Sequence, residues 1–179
     1  MAMENLINLN ELFNKMPWWD GMNVADFGSG SGIFTIEMAK RLNPGSNILA
    51  IDILEKPLMF LIENAKRNGV ANLITTKVCD LENKTLGASF QESIDVVTVI
   101  NVLFQIKNKE NLIKEARRIL KPSGFLIIVD WESYKIPLND KLYPVKQDDL
   151  IKAIESFGFA LKEKIKLSHT HFGIIFIKQ

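Results

Sequence analysis

Five nearly continuous apolar runs, separated by segments with helical spacing, constrain the fold of this chain more than any other feature of its sequence. Strands that are apolar on both faces are typical of a parallel sheet covered by helices on both sides. The intervening segments place apolar residues every three or four positions, as amphipathic helices do. The pattern predicts alternating strands and helices, with strands at residues 22–27, 47–53, 73–78, 94–100 and 125–129.

The C-terminal end follows a different pattern. Residues 160–167 and 171–177 are two strand-like runs joined by only three residues. The two strands must be antiparallel, because parallel neighbours need a long crossover connection. We therefore expect an α/β sheet that is mostly parallel and has an antiparallel last strand. No repeat or linker divides the chain, so one domain is predicted at residues 22–179, preceded by a helical extension at 1–21 that could act as a lid.

Composition excludes several classes of protein. The chain has 22 basic and 21 acidic residues, so its charge balance disfavours a strongly electropositive nucleic-acid-binding protein, and no DNA partner is expected. A single cysteine, Cys79, cannot form an internal disulfide or a thiolate zinc site, and two histidines disfavour a multi-histidine metal site. No apolar run reaches the about 18 residues of a membrane span, and polar residues near the N-terminus disfavour a signal peptide. We expect no metal and a cytoplasmic location.

A glycine cluster, Asp-Phe-Gly-Ser-Gly-Ser-Gly at residues 26–32, follows the first strand and opens a helix. Glycines there allow a sharp turn and close approach to a ligand, and free N–H groups at the helix start favour a negative group. A dinucleotide fingerprint would need its third glycine at position 33, which is Ile33. The acidic Asp26, two residues before the first glycine, favours a ligand that also carries a positive charge. A tight turn without a ligand is the alternative.

Two further carboxylates, Asp52 and Asp80, end the second and third predicted strands. A carboxylate in the position of Asp52 can accept hydrogen bonds from both hydroxyls of a ribose, and Asp80 could meet an adenine amino group. A single aspartate at a strand end is more often a turn or helix cap. Three at the ends of successive strands, counting Asp26, indicate one ligand site at the carboxyl edge of the sheet.

The sequence resembles class I S-adenosylmethionine-dependent methyltransferases over nearly its whole length. The resemblance is carried by VADFGSGSGIFTIEMAK at 24–40, ILAIDI at 48–53, VCDLEN at 78–83, SIDVVTVINVLFQI at 93–106 and RRILKPSGFLIIVDW at 117–131. The last two are similar to the small-molecule branch that includes ubiquinone and menaquinone biosynthesis methyltransferases. The resemblance implies a Rossmann-like fold with a seven-stranded sheet and helices on both faces, and S-adenosyl-L-methionine as the cofactor.

The resemblance also implies a set of cofactor-binding residues: Asp26, Gly28, Ser29, Gly30, Gly32, Asp52, Ile53, Asp80, Leu81 and Asn101. In relatives, the acid and the glycine loop hold the methionine part of the cofactor, and the carboxylate after the second strand takes the ribose. The next two motifs contact the adenine, and the position of Asn101 lies near the sulfonium. Two departures matter. Phe104 stands where many relatives carry histidine, and Asn101 is followed by Val-Leu-Phe, which disfavours methylation of amines on DNA bases.

Candidate catalytic residues follow from topology together with the resemblance. An antiparallel last strand would begin at the edge where the parallel strands end, and the family strand order that the resemblance implies places it beside the fifth strand. That order brings His171, and His169 nearby, toward Asp130 and Trp131. We expect His171 to act as a proton-accepting base that Asp130 supports; the alternatives are that His171 only lines the acceptor pocket, and that both histidines lie in a solvated hairpin turn. Trp131 and Tyr134 could form a wall for an apolar acceptor. Residues 132–146 and the N-terminal segment are the candidate lids.

These residues favour a methyltransferase that acts on a small-molecule acceptor. A cofactor-binding subunit without its own activity and an RNA or protein methyltransferase are the alternatives. A nicotinamide oxidoreductase is more distant, because Ile33 departs from the required glycine pattern.

Overall fold

The computed structural model of the chain describes residues 7–132 and 142–179. Its strands are β1 Asn23–Phe27, β2 Asn47–Asp52, β3 Ile74–Val78, β4 Ile94–Ile100, β5 Leu120–Trp131, β6 Phe159–Lys166 and β7 His171–Lys178. Its α-helices are α1 Leu9–Lys15, α2 Ile33–Ala39, α3 Glu55–Arg67, α4 Lys109–Ile119 and α5 Gln147–Ser156. Strands and α-helices thus alternate from β1 to β3 and from β4 to β5, as the apolar runs predict, whereas the connection between β3 and β4 contains only a short 3-10 segment, Ala88–Phe90.

The seven strands form one sheet in the order β3-β2-β1-β4-β5-β7-β6. Neighbouring strands from β3 to β5 are parallel, whereas β7 is antiparallel to both of its neighbours, β5 and β6. The predicted mostly parallel sheet with an antiparallel last strand is confirmed. Strand order reverses beside β1, between β2 and β4, and in open α/β sheets this switch point is where ligands bind.

Helices cover both faces of the sheet. Leu12, Leu61 and neighbouring residues of α1, α2 and α3 belong to the apolar core on one face. The core on the other face contains residues of α4 and α5, such as Ala116 and Ile154. Strand β4 separates the two cores and is buried at all seven positions, which explains why five of them are isoleucine or valine.

Strand β5 is longer than the predicted run at 125–129. Leu120 already pairs with Ile94 of β4, and the register shifts between Ile94 and Val96 before regular pairing resumes at Phe125. Ser123 lies between these two stretches with a φ of 60°, a left-handed conformation that bends the chain. The Lys-Pro-Ser-Gly sequence predicts a turn here, and that turn is accommodated inside the strand.

Helix α1 packs into the core of the domain. Leu12 is fully buried, and the Asn8 N–H donates to the carbonyl of Leu167 at 3.3 Å. The Trp18 indole N–H donates to the carbonyl of Phe13 at 2.7 Å. The described part of the 1–21 extension is therefore a structural helix on the sheet. The rest of that extension, and residues 133–141 of the other candidate lid, lie outside the described residues.

In the described ranges, 7–132 and 142–179, there is no helix with both the length and the apolar character that crossing a membrane requires.

Candidate active site

A cavity of about 520 Å³ opens at the carboxyl edge of β1 to β4, beside the switch point. The glycine loop, the segments after β2 and β3, and the segment after β4 form its walls. Eight of the ten residues predicted to bind the cofactor line it: Gly28, Ser29, Gly30, Asp52, Ile53, Asp80, Leu81 and Asn101. Residues far apart in the sequence thus meet at one site because parallel strands bring their ends to the same edge.

The glycine loop is held against β2 by its own backbone. The N–H groups of Gly28 and Ser29 donate to the carbonyl of Ile51 at 2.8 and 2.9 Å. Gly28 has a φ of 73°, and a Cβ atom there would lie 2.3 Å from Val102 Cγ2. The loop therefore needs glycine both for its left-handed backbone and for its close approach to the segment after β4.

Gly32 supports the loop from outside the cavity. It is the N-cap residue of α2 with a φ of 89°, and a Cβ atom there would lie 2.5 Å from Leu61 Cγ of α3. Gly32 is predicted to contact the cofactor, but it is not among the residues that line the cavity. The third glycine of the motif instead allows α2 and α3 to pack closely.

Asp52 joins the end of β2 to the glycine loop. Its Oδ2 atom accepts a hydrogen bond from the Gly30 N–H at 2.9 Å, and its Oδ1 atom accepts one from the Leu54 N–H at 3.0 Å. Each carboxylate oxygen keeps a second lone pair for a ligand hydroxyl. The carboxylate is thus oriented in the cavity wall before any ligand binds.

The far wall of the cavity combines an apolar surface with a carboxylate. Ile53 is 58% exposed, which is unusual for isoleucine and suits a flat apolar ligand lying against it. Asp80 accepts hydrogen bonds from the Glu82 N–H at 3.0 Å and from the Asn83 side-chain amide at 2.8 Å. These bonds direct the carboxylate at the end of β3, with Leu81 buried beside it.

Asn101 follows β4 in a left-handed conformation, with a φ of 57°. Asparagine tolerates this conformation better than most residues. Its N–H donates to the carbonyl of Val129 at 2.8 Å, and its own carbonyl accepts from the Gln105 side-chain amide at 2.8 Å. Asn101 and Gln105 both line the cavity, so the segment after β4 contributes polar groups to its wall.

Asp26 lies beneath the glycine loop and is not among the residues that line the cavity. It is 2% exposed and accepts hydrogen bonds from the hydroxyls of Thr35 at 2.6 Å and Thr98 at 2.7 Å. Burial raises the pKa of Asp26 to about 6, against the opposing effect of the two hydroxyl donors. In the structure Asp26 links β1 to α2 and β4, and its contact with the cofactor stays a prediction.

The Ser29 hydroxyl is a buried polar atom in the cavity wall. Its Oγ atom has no hydrogen-bond partner within the described part of the chain. Buried hydroxyls are normally hydrogen-bonded, so an exception at a cavity wall points to a ligand that completes the bond.

The predicted catalytic pair is not formed. Trp131 pairs with His171 and Asp130 with Phe172, and because side chains alternate along a strand, Asp130 and His171 point to opposite faces of the sheet. Asp130 accepts hydrogen bonds from the N–H groups of Trp131 at 2.7 Å and Phe104 at 3.2 Å. Burial raises its pKa to about 6. The expectation that Asp130 supports a charged His171 is therefore wrong in its geometry.

His171 itself is 1% exposed, and burial lowers its pKa to about 4. Its ring lies 4.1 Å from the Trp131 ring, centroid to centroid, and Trp131 contacts Phe104 edge-on at 6.5 Å. His169 is exposed and lines a second opening of about 490 Å³ beside β6. Tyr134, the other predicted aromatic wall residue, lies outside the described residues.

Sequence reasoning missed several residues of the site. Val102 and Gln105 line the cavity from a short 3-10 segment after β4, and Thr35 and Thr98 bind Asp26. Thr98 stands between valines in the buried β4, which was a usable signal, since a buried hydroxyl needs a partner. The region of Val102 gave no comparable signal. Among the described residues, no group of three or more histidines, cysteines, aspartates or glutamates could hold a metal ion.

Comparisons with known proteins agree with this geometry. The family described as "Methyltransferase domain" matches residues 19–169. Ribosomal protein L11 methyltransferase from Dictyoglomus thermophilum is 37% identical over 108 residues, which cover 60% of this chain and 32% of the relative. The ubiquinone/menaquinone biosynthesis C-methyltransferase of Bordetella parapertussis is 30% identical over 118 residues, which cover 66% of this chain and 44% of the relative. The chain thus matches a third to less than half of the length of these curated relatives.

A solved structure shares the whole fold. A SAM-dependent methyltransferase from Aquifex aeolicus superposes with a TM-score of 0.81 at 18% sequence identity, covering 97% of this chain and 91% of that one. Fold and cavity define a nucleotide-cofactor-binding α/β domain. The chain belongs to the methyltransferase domain family, in the S-adenosylmethionine-dependent class that its motifs resemble.

Proposed function

We propose that the protein transfers a methyl group from S-adenosylmethionine to a small-molecule acceptor. The observation that carries this proposal is the cavity of about 520 Å³, in which eight predicted cofactor-binding residues from four strand ends meet. The residues fit the cofactor: an exposed Ile53 suits the adenine, a directed Asp52 suits the ribose, and the Ser29 hydroxyl suits the methionine carboxylate. When bound, the cofactor supplies an electrophilic methyl group on a sulfonium leaving group.

The residues of the chain would contribute mainly by orientation. Asp52, Asp80 and the glycine loop are already directed by backbone hydrogen bonds, so little order has to be created on binding. Alignment of an acceptor with the methyl carbon can supply about 7–11 kcal/mol of the barrier. A base is needed only where the acceptor must lose a proton. The absence of the Asp130–His171 pair is therefore compatible with the proposed reaction.

The small-molecule acceptor is supported by the quinone-biosynthesis relative and by the charge balance of the chain. Protein methylation is a second candidate, favoured by the 37% identity to a ribosomal protein L11 methyltransferase. Incubation with radiolabelled S-adenosylmethionine separates the two: label incorporated into purified ribosomal protein L11 would favour the second. Label transferred to small phenols or quinols, and none to the protein, would favour the first.

Cofactor binding itself is tested by calorimetry and thermal denaturation. We expect S-adenosylhomocysteine to bind and to raise the melting temperature, since a ligand that binds only the folded state adds about 2.7 kcal/mol at a hundredfold excess over its Kd. NAD should cause no shift. A shift with NAD alone would reverse the proposal in favour of an oxidoreductase.

Asp52→Ala should weaken S-adenosylhomocysteine binding by roughly ten- to a hundredfold, because hydrogen bonds to a charged group are worth about 1.5–3 kcal/mol. Asp52→Asn retains one acceptor oxygen and should therefore lose less affinity for S-adenosylhomocysteine than Asp52→Ala. The matched control is Asp20→Ala, which removes an exposed aspartate before β1, at the opposite edge of the sheet. An unchanged Kd for Asp52→Ala would exclude Asp52 from the ribose site.

A further inference from the structure

His171 lies on the same row of strand ends as the cofactor cavity. Ile100, at the end of β4, lines the cavity and pairs with Val129 of β5. Trp131 follows two residues later on the same face of β5 and pairs with His171 of β7. His171 is therefore two strands from β4, or about 10 Å at the usual strand spacing.

Hydrogen bonds in the β6–β7 turn favour one of the two ring nitrogens of His171 as the site of its proton. Ser168 Oγ accepts from the N–H groups of Thr170 at 3.1 Å and His171 at 3.0 Å, which occupies both of its lone pairs. This leaves the Ser168 proton for Thr170 Oγ1, 3.0 Å away. A Thr170 hydroxyl that donates onward to His171 Nδ1, at 2.9 Å, completes the chain. In that arrangement Nδ1 is an acceptor, and the proton of the neutral ring lies on Nε2.

The Nε2 atom is a buried donor without a hydrogen-bond partner among the described residues. The two acids on either side of Trp131 in the sequence are directed elsewhere: Asp130 points to the other face of the sheet, and Glu132 accepts from the Gln147 side-chain amide at 2.9 Å. A buried donor left unpaired costs about 1–3 kcal/mol, so it calls for an explanation. Beside it lie the Trp131 ring and, beyond that, Phe104.

We propose that the Nε2–H of His171 donates a hydrogen bond to an oxygen atom of an aromatic methyl acceptor that lies against Trp131. His171 is then an acceptor-binding residue that selects for oxygen, in place of the proton-accepting base that the sequence suggested. This inference rests on the proposed methyltransferase function. Burial, which holds the pKa of His171 at about 4, keeps the ring neutral and able to donate from Nε2 alone at physiological pH. Trp131 is only partly buried, so a shift of its side chain is the route by which an acceptor reaches Nε2.

The test is nitrogen NMR of the two histidine rings in protein saturated with S-adenosylhomocysteine. Phenol and catechol are the probes, and toluene is the control of the same shape without oxygen. We expect the Nε2–H tautomer of His171 at pH 7, and an Nε2 resonance that moves with phenol and catechol but not with toluene. The exposed His169 ring is the internal control. Thr170→Val should release the tautomer and give a mixture of Nδ1–H and Nε2–H forms.

His171→Phe keeps the aromatic surface and removes the donor. We expect it to weaken catechol binding about three- to tenfold, the value of a neutral hydrogen bond, with S-adenosylhomocysteine affinity unchanged within twofold. If catechol is methylated, KM should rise by the same factor while the pH dependence of kcat stays the same.

An Nδ1–H tautomer or a charged ring at pH 7 would overturn the inference. So would equal responses to toluene and phenol, or no response to any probe, since Nε2–H would then only face the Trp131 ring. Failure of S-adenosylhomocysteine to bind the wild-type protein would instead contradict the proposed function, and the two failures are therefore distinguishable.

Discussion

Two buried polar atoms, Ser29 Oγ and His171 Nε2, lack hydrogen-bond partners in the described structure, and they lie in opposite halves of the same edge of the sheet. Ser29 belongs to the cofactor half, in the glycine loop. His171 belongs to the proposed acceptor half, where β5 and β7 meet by antiparallel pairing. Motifs that are recognisable in the local sequence mark the first half, whereas the contacts of the second half depend on strand register. Changes to the glycine backbone and the buried acid of the cofactor half should therefore have larger effects than removal of either unpartnered atom.

Gly32→Ala should have the largest effect. A Cβ atom would lie 2.5 Å from Leu61 Cγ, and the φ of 89° disfavours any side chain. Left-handed strain costs about 1–2 kcal/mol and overpacking about 1–3 kcal/mol, so the free energy of unfolding should fall by roughly 2–5 kcal/mol. Chemical denaturation measures this change.

Gly69→Ala is the matched control for that substitution. Gly69 has a φ of 72°, but a Cβ atom there would meet no described heavy atom within 4 Å. The free energy of unfolding of this variant should fall only by the cost of the left-handed strain, about 1–2 kcal/mol. Equal losses in the two variants would show that close packing of α2 on α3 is not what requires the third glycine.

Asp26→Asn should have the next largest effect on the free energy of unfolding. At neutral pH this substitution should raise the free energy of unfolding, whereas Gly32→Ala lowers it. The pKa of Asp26 is raised to about 6, so the folded state binds the proton more tightly than the unfolded chain does. That contribution to stability is complete below about pH 4 and is lost as pH rises through 6. Asparagine is neutral and can still pair with both threonine hydroxyls. The variant should be more stable than wild type at pH 7.5, by up to about 3 kcal/mol.

The difference between Asp26→Asn and wild type should disappear as pH falls to 4, because wild-type Asp26 is then protonated too. The depressed pKa of His171 acts in the other direction but is common to both proteins, so it cancels in the difference. Denaturation curves of both proteins from pH 4 to 7.5 measure the difference in their free energies of unfolding. A large loss of S-adenosylhomocysteine affinity in the variant would support the direct contact that the family resemblance implies. Retained affinity would indicate that Asp26 only links β1 to α2 and β4 through the two threonines.

The comparison of the two halves also explains what the sequence could predict. The sheet, its antiparallel last strand, the glycine loop and the acids Asp52 and Asp80 follow from local patterns: apolar runs, a glycine cluster and aspartates at strand ends. The other wall residues, such as Ile53 and Asn101, were implied only by the family resemblance. The Asp130–His171 pair failed because it depends on which face each residue occupies. Asp130 lies opposite Phe172, and a register change of one residue would have reversed its direction. No local pattern specifies that register. Likewise, the contact of Gly28 with Val102 depends on the packing of a segment 74 positions away, and short-range spacing does not contain it.

Ser29→Ala should have the smallest effect and gives the sharpest comparison of the two halves. The Ser29 hydroxyl has no partner among the described residues, so its removal breaks no bond of the chain, and the free energy of unfolding without ligand should stay within about 0.5 kcal/mol of wild type. If the cofactor completes the bond, S-adenosylhomocysteine affinity should fall about three- to tenfold, as expected for a hydrogen bond worth about 0.5–1.5 kcal/mol. Calorimetry and denaturation on the same preparation measure both quantities.

In His171→Phe the pattern should be reversed, with S-adenosylhomocysteine binding intact and binding of phenols weakened. A loss of stability in Ser29→Ala without a loss of affinity would show that the hydroxyl serves the loop, and the two unpartnered atoms would then not mark the two halves of one active site.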